Sequence, residues 1–156
     1  MIWYFQDKEF TEDMIGDSYG FVYLITNLIS NRKYIGKKFF SKAGYKTVKG
    51  KRKKIRKPSD WLEYYGSNKT LLEDVKLHGE QNFKREILYL CKTRSDCAYL
   101  ELREQIDKRV LETEEYYNDW IMIKVRKDHL KQINLKPDTN TYNIPEEEIH
   151  ISGKKL

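Results

Sequence analysis

Two cysteines, three prolines and eight glycines in 156 residues leave the chain little covalent or conformational scaffolding. Cys91 and Cys97 have no His or Cys partner at zinc-site spacing. This excludes a disulfide framework or a zinc-stapled domain and reads as reduced, partly buried thiols in a cytosol-like compartment. No apolar run approaches membrane-spanning length, and the opening MIWYFQDKEF is charged too early to supply the apolar core of a secretory signal. The expectation is a cytoplasmic, intracellular chain away from any membrane, monomeric or homodimeric. Its length suits one core with terminal extensions.

The most informative absence is that of acid between residues 33 and 57, where twelve Lys or Arg stand with no Asp or Glu. The remaining 18 basic residues are outnumbered by 24 acidic ones, so the net charge of +6 comes from this one segment. Twelve like charges repel one another unless a polyanion or counterions neutralise them. Nucleic-acid phosphate is the natural partner, with affinity that falls steeply with salt.

Apolar patterning places the elements. Gly20 to Thr26, GFVYLIT, is β-branched and aromatic almost throughout and fits a strand covered on both faces. Asn27, Ser30 and Asn31 favour a turn, after which Lys33 to Lys38 returns antiparallel, bringing Tyr23 and Tyr34 onto neighbouring strands. Ile2-Trp3-Tyr4-Phe5 reads as an extra strand or a hydrophobic clasp onto the core. Ser41 to Pro58, with Gly44, Gly50 and its lysine-arginine run, reads as a mobile basic loop. In it Tyr45 covers the loop's base or, alternatively, stacks on a nucleobase. Trp61, Leu62 and Tyr65 suggest one or two helical turns ended by Gly66, and Ser67 or Asn68 caps a helix from Lys69 to His78 ended by Gly79. His78 there complements the helix dipole. Gln81 to Cys91 reads as a third strand. Thr93 opens a long helix, roughly Asp96 to Glu112, with an expected apolar stripe of Tyr99, Leu102, Ile106 and Val110, and Glu101 and Glu104 off it. Trp120 to Arg126 reads as a further strand or buried connector, and the tail from Lys127 as partly flexible.

Gly20-Phe21-Val22-Tyr23 and Tyr34-Ile35-Gly36, on two strands joined by one turn, resemble the signature of the GIY-YIG nucleases, with Phe-Val-Tyr in place of the first Gly-Ile-Tyr. The run from Asp60-Trp61 through Tyr65-Gly66-Ser67, His78-Gly79 and Asn82-Phe83 to Glu86-Ile87-Leu88 is similar to the middle of phage-encoded, homing-type members. The resemblance covers about residues 19–118. It implies an α+β fold, a small three-stranded antiparallel sheet flanked by helices, with residues 1–18 as an N-terminal and 119–156 as a C-terminal extension. It also implies a DNA endonuclease using one divalent metal, Mg²⁺ or Mn²⁺. The alternative is a catalytically inactive module of the same fold that binds nucleic acid or protein.

By resemblance, Tyr23 is the general base or water-orienting group, and Tyr34 positions water or phosphate. A helix glutamate, Glu101 with Glu104 as fallback, holds the metal, and Tyr117-Asn118 matches a dipeptide that often follows. Ala98, one turn before Glu101, is expected to leave room there. The family's arginine has no counterpart about ten residues beyond Tyr-Ile-Gly, where Ala43-Gly44-Tyr45 stands. Arg56, with Arg52 second, would supply the guanidinium, and Tyr64 or Tyr65 would fill the space of a histidine found in several members. Lys37, Lys38, Lys51, Lys53, Lys54 and Asn118 are the candidate DNA contacts. A free phenol titrates near ~10, so Tyr23 as a base needs cations nearby, for which Lys37 and Lys38 are placed.

Overall fold

The computed structural model describes residues 2–122. Its centre is β3 (Gly20–Asn27), paired antiparallel on one side with β4 (Lys33–Phe39) and on the other with β7 (Phe83–Cys91). Side chains alternate across a strand, and both faces of β3 are covered. Phe21, Tyr23 and Ile25 pack with Trp3, Phe40, Trp61 and Leu71, while Val22 on the other face packs with Ile35, Cys91, Cys97 and Val110. That is why the run has no polar alternation. The turn follows the expected chemistry: Asn27 Oδ1 accepts from the backbone N–H of Ile29 and Ser30, and Asn31 takes a left-handed φ of 62°.

The sheet is larger than the expected three antiparallel strands. β1 (Trp3–Phe5) joins β7 in parallel and β2 (Lys8–Phe10) pairs outside β1, giving a five-stranded mixed sheet in the order β2-β1-β7-β3-β4. The reason lies in Trp3, whose buried ring meets Phe21 and Tyr23 edge-on and whose indole N–H donates to the Trp61 carbonyl at 2.8 Å. The α+β class stands.

The segment expected as a mobile loop is instead a β-ribbon, β5 (Ser41–Val48) and β6 (Lys51–Pro58), paired in continuous register around Lys49-Gly50. Both turn residues have positive φ, which the reading of this stretch as a loop overlooked. Two helices complete the layer. α1 (Lys69–His78) starts on Asn68, whose side chain accepts from Leu71 N–H, and stops at Gly79 with φ 87°. α2 (Arg94–Asp107) starts on Thr93, whose hydroxyl accepts from Asp96 N–H. The third strand begins two residues later than expected. α2 is also shorter, because Arg109 turns left-handed before a short 3₁₀ turn at Val110–Glu112. The expected helix at 61–65 is a single 3₁₀ turn, Trp61–Glu63.

The inward face of α2 differs from the expected apolar stripe. Of the expected stripe Val110, beyond the helix end, is buried and Leu102 half-buried, but Tyr99 and Ile106 are exposed, whereas Cys97 and Gln105 are buried and Glu101, one turn from each, is largely covered. Polar residues face inward because each has a partner there. Residues 120–122 form no strand, and Trp120 is exposed; the rest of the expected 120–126 connector and the tail lie outside the described residues. Among the described residues no helix is long and apolar enough to cross a membrane.

Candidate active site

Tyr23 and Tyr34 meet because the β3–β4 register sets Tyr23 opposite Gly36 and Ile25 opposite Tyr34, placing the two phenols diagonally on one face. Their ring centroids are 6.1 Å apart. A bulge in the β3–β7 pairing falls at Val22/Tyr23, a device that re-aims a side chain. Gly36 is required for space rather than for backbone freedom: a Cβ there would sit 2.4 Å from the Tyr23 hydroxyl and 2.7 Å from its ring carbon Cζ.

The outer edge of β4 is closed by the stretch after α2. Asn118, itself buried, grips Ile35 with both amide groups: its Oδ1 accepts from Ile35 N–H at 3.0 Å and its Nδ2 donates to the Ile35 carbonyl at 2.8 Å. Gln105 Nε2 donates to the same carbonyl. Tyr117 N–H donates to the Lys33 carbonyl, and its hydroxyl joins Asn27 to Asp74. The Tyr-Asn dipeptide thus ties β4, the turn and α1 together. Asn118, a candidate DNA contact in the sequence, spends its amide on the backbone of Tyr-Ile-Gly.

In front of this hairpin lies a cavity of about 300 Å³ lined by Tyr23, Tyr34, Lys37, Lys38, Lys42, Asp60, Tyr64, Ser67, Glu101 and Gln105, with Trp120 and Met122 at its margin. Glu101 pairs with Lys37 at 2.9 Å and Asp60 with Lys38 at 2.7 Å, while Lys38 Nζ stands 3.8 Å from the centre of the Tyr64 ring. Three ammonium groups therefore face two carboxylates, leaving one positive charge in excess. Glu104, by contrast, accepts from the Tyr89 hydroxyl and does not line the cavity. Ala98 is exposed and plays no part in opening the space, which the inward row of Cys97, Glu101 and Gln105 creates instead.

Neither arginine singled out in the sequence lines the cavity. Arg56 donates to the Ser41 hydroxyl and carbonyl and to the Tyr19 hydroxyl, and Arg52 stacks 3.9 Å from the centre of the exposed Tyr45 ring. Cross-strand register puts both on the ribbon, so the cavity's cations are Lys37, Lys38 and Lys42. Lys51, Lys53 and Lys54 also lie on the ribbon, and Tyr45 covers no loop base. Of the two tyrosines proposed for the histidine's space, Tyr64 stands edge-on to Tyr23 with centroids 6.1 Å apart, and Tyr65 is turned into the core.

Sequence reasoning missed Arg85. It is buried between Trp3 and Tyr65, with its guanidinium carbon 4.5 and 4.3 Å from the ring centres. Its Nη1 donates to the carbonyls of Leu62 and Tyr64 at 2.9 Å each, so it fixes the turn that presents Tyr64. An arginine inside a strand pattern was the available signal.

Burial raises the pKa of Tyr23 well above that of a free phenol, and a hydrogen bond to Tyr64 and the nearby Glu101 charge push the same way; burial also raises that of Tyr34, against a Ser67 hydrogen bond that lowers it. Both phenols are neutral near pH 7. The cations expected to ease Tyr23 ionisation are present in the cavity, but each is engaged by a carboxylate.

Comparison with known proteins bears directly on this arrangement. The family model described as "Putative endonuclease segE, GIY-YIG domain" matches residues 3–121. The chain belongs to the GIY-YIG family. The match begins at Trp3, within β1, so it takes in the strand that completes the sheet. The chain is 36% identical over 102 residues to "Putative endonuclease segE" of Enterobacteria phage T4, an alignment covering 64% of this chain and 40% of that protein. It therefore spans well under half the length of the relative it matches. No solved structure matches.

Proposed function

We propose that the chain is a DNA endonuclease that hydrolyses phosphodiester bonds in the cavity between β4 and α2. The observation that carries this is the meeting of Tyr23, Tyr34, three lysines and Glu101 in one space, in a chain of the GIY-YIG family. Hydrolysis needs a positioned water and stabilisation of the charge that grows on the phosphate. Lys38 and Lys42 would bind non-bridging oxygens by charge-assisted hydrogen bonds. Tyr34 and Ser67, whose hydroxyls are 3.3 Å apart, would orient the phosphate. Tyr23, neutral and donating toward Tyr64, would accept a hydrogen bond from the attacking water and aim it. This favours the water-orienting role over that of a ready base.

The donor set suits a hard divalent ion such as Mg²⁺ or Mn²⁺ held mostly by water. Glu101 supplies one carboxylate, and among the described residues no three His, Cys, Asp or Glu cluster to form a full protein cage. Lys37 now neutralises that carboxylate, so the ammonium would be displaced when Glu101 takes a metal. A bound ion there would supply Lewis-acid stabilisation of the leaving oxygen. Released from Glu101, Lys37 would be free for the phosphate.

The test is plasmid nicking by the full chain with Mg²⁺ or Mn²⁺. Tyr23→Phe and Glu101→Ala are expected to abolish nicking while duplex binding persists. Protein that binds DNA and never cuts with either ion refutes the enzyme and leaves the inactive binding module.

A further inference from the structure

The β5–β6 ribbon contributes little to the core. Its two strands form a sheet of their own, and no side chain from Lys42 to Pro58 is buried. Yet it carries nine Lys or Arg and no acid. Lys42 lies directly opposite Lys57, and Lys46 opposite Lys53. Like charges facing each other across an antiparallel pair oppose its formation, and isolated two-stranded hairpins are marginal in water. A ribbon so built lacks a counter-charge that a polyanion would provide.

Register divides the ribbon into two unlike faces. Ala43, Tyr45, Thr47, Arg52, Lys54 and Arg56 share one, on which Arg52 is held flat over Tyr45. The other carries Lys42, Lys46, Lys51, Lys53 and Lys57. Arginine, lysine and hydroxyl groups read base edges when they enter the groove, and outside it the same cations bind phosphates, so the face turned into the groove decides the role of each. The major groove of duplex DNA admits a two-stranded ribbon between two phosphate walls. The ribbon's root reaches the cavity, because Ser41, Lys42 and Ser59 line it.

We infer that the β5–β6 ribbon is a groove-entering arm, its Tyr45–Arg52–Lys54 face on the bases and its lysine face on the flanking phosphates. Eight residues per strand at about 3.3 Å each reach roughly 26 Å from the cavity, or about 8 base pairs. DNA contacts should therefore extend to one side of the scissile phosphate. This rests on the nuclease reading only for where the cut lies; the binding of the arm is a separate property.

The full chain is tested against random-sequence duplex DNA without divalent metal. Lys46→Ala with Lys53→Ala should reduce the slope of log affinity against log salt by about 0.9 for each phosphate no longer neutralised, roughly 2 in all. Arg52→Ala with Lys54→Ala should change the sequences enriched from a randomised duplex pool. Replacing residues 44–55 by Asn-Gly removes five residues from each strand, about 16 Å, and should shorten the hydroxyl-radical footprint on a duplex enriched from that pool by about 5 base pairs on one side only. Failure of the full chain to bind duplex DNA overturns the arm, as does an unchanged salt slope and footprint in these variants. If those variants leave binding unchanged while plasmid nicking continues, the arm is refuted and the nuclease stands. A chain that binds through the ribbon and never cuts upholds the arm and refutes the nuclease. The two face variants change exposed side chains only, so the outcome does not depend on the shortened ribbon folding.

Discussion

Gly36→Ala adds one methyl group at the point where the two signature tyrosines meet. The new Cβ would lie 2.4 Å from Tyr23 Oη, 2.7 Å from Tyr23 Cζ and 3.0 Å from Tyr34 Cε1, against an ordinary carbon contact of about 3.5 Å or more. One of the rings must give by about 1 Å. Tyr23 cannot swing freely, since Trp3, Phe21, Tyr34 and Tyr64 all lie against it. Overpacking of this kind costs about 1–3 kcal/mol. For a domain of this size that lowers the melting temperature by roughly 4 °C per kcal/mol. Displacing Tyr23 by the same amount should lower plasmid nicking about 10²-fold. The decisive measurement is the double-mutant cycle with Tyr23→Phe, followed by chemical denaturation. Removing the hydroxyl deletes the atom in the worst contact, so the pair should be less destabilised than the sum of the singles, with a coupling of at least about 0.5 kcal/mol. Additive costs, or a Gly36→Ala protein that melts and nicks like the parent, would refute the claim that Gly36 is glycine to make room for Tyr23.

Asn118→Ala leaves the Ile35 N–H without its partner and the Ile35 carbonyl with Gln105 alone, and should destabilise by about 1–3 kcal/mol. Amide exchange at Ile35 should quicken with it; unchanged protection there would contradict the clamp. The buried phenols Tyr23, Tyr65 and Tyr117 and the half-buried Tyr34 and Tyr116 all have pKa values raised chiefly by loss of solvent. Their stabilisation is therefore complete below the unfolded value near ~10 and is lost as pH rises beyond it, because the unfolded chain then releases protons the folded one retains. Absorbance titration of tyrosinate should show several phenols ionising at higher pH in the native than in the urea-unfolded protein, and coincident curves would exclude this.

The strands and helices that the sequence announced clearly are those in which local chemistry and tertiary packing agree. GFVYLIT is apolar throughout because β3 is central, and Lys69–His78 carries both of its caps in its own sequence. Other elements are hidden by distant partners or by composition. Trp3-Tyr4-Phe5 could be seen as hydrophobic, but its parallel pairing with β7 depends on residues more than eighty positions away. The ribbon was hidden by its composition, since lysine and arginine are poor markers of a strand and its only turn signal is Lys49-Gly50.

The misread face of α2 has a more specific cause, and it concerns function. Periodicity favours Tyr99, Leu102 and Ile106 as the buried stripe because it scores apolarity, yet the helix turns Cys97, Glu101 and Gln105 toward the sheet. Gln105 is there to hold the Ile35 carbonyl, and Glu101 is there opposite Lys37. Leucine would serve as well as Glu101 for packing alone, whereas Gln105 has a backbone carbonyl to satisfy. Local rules are broken where a protein keeps polar groups for another purpose. The breach occurs on the helix face that closes the cavity of Tyr23 and Tyr34, and it sets Glu101 in that cavity while Glu104 stays outside it.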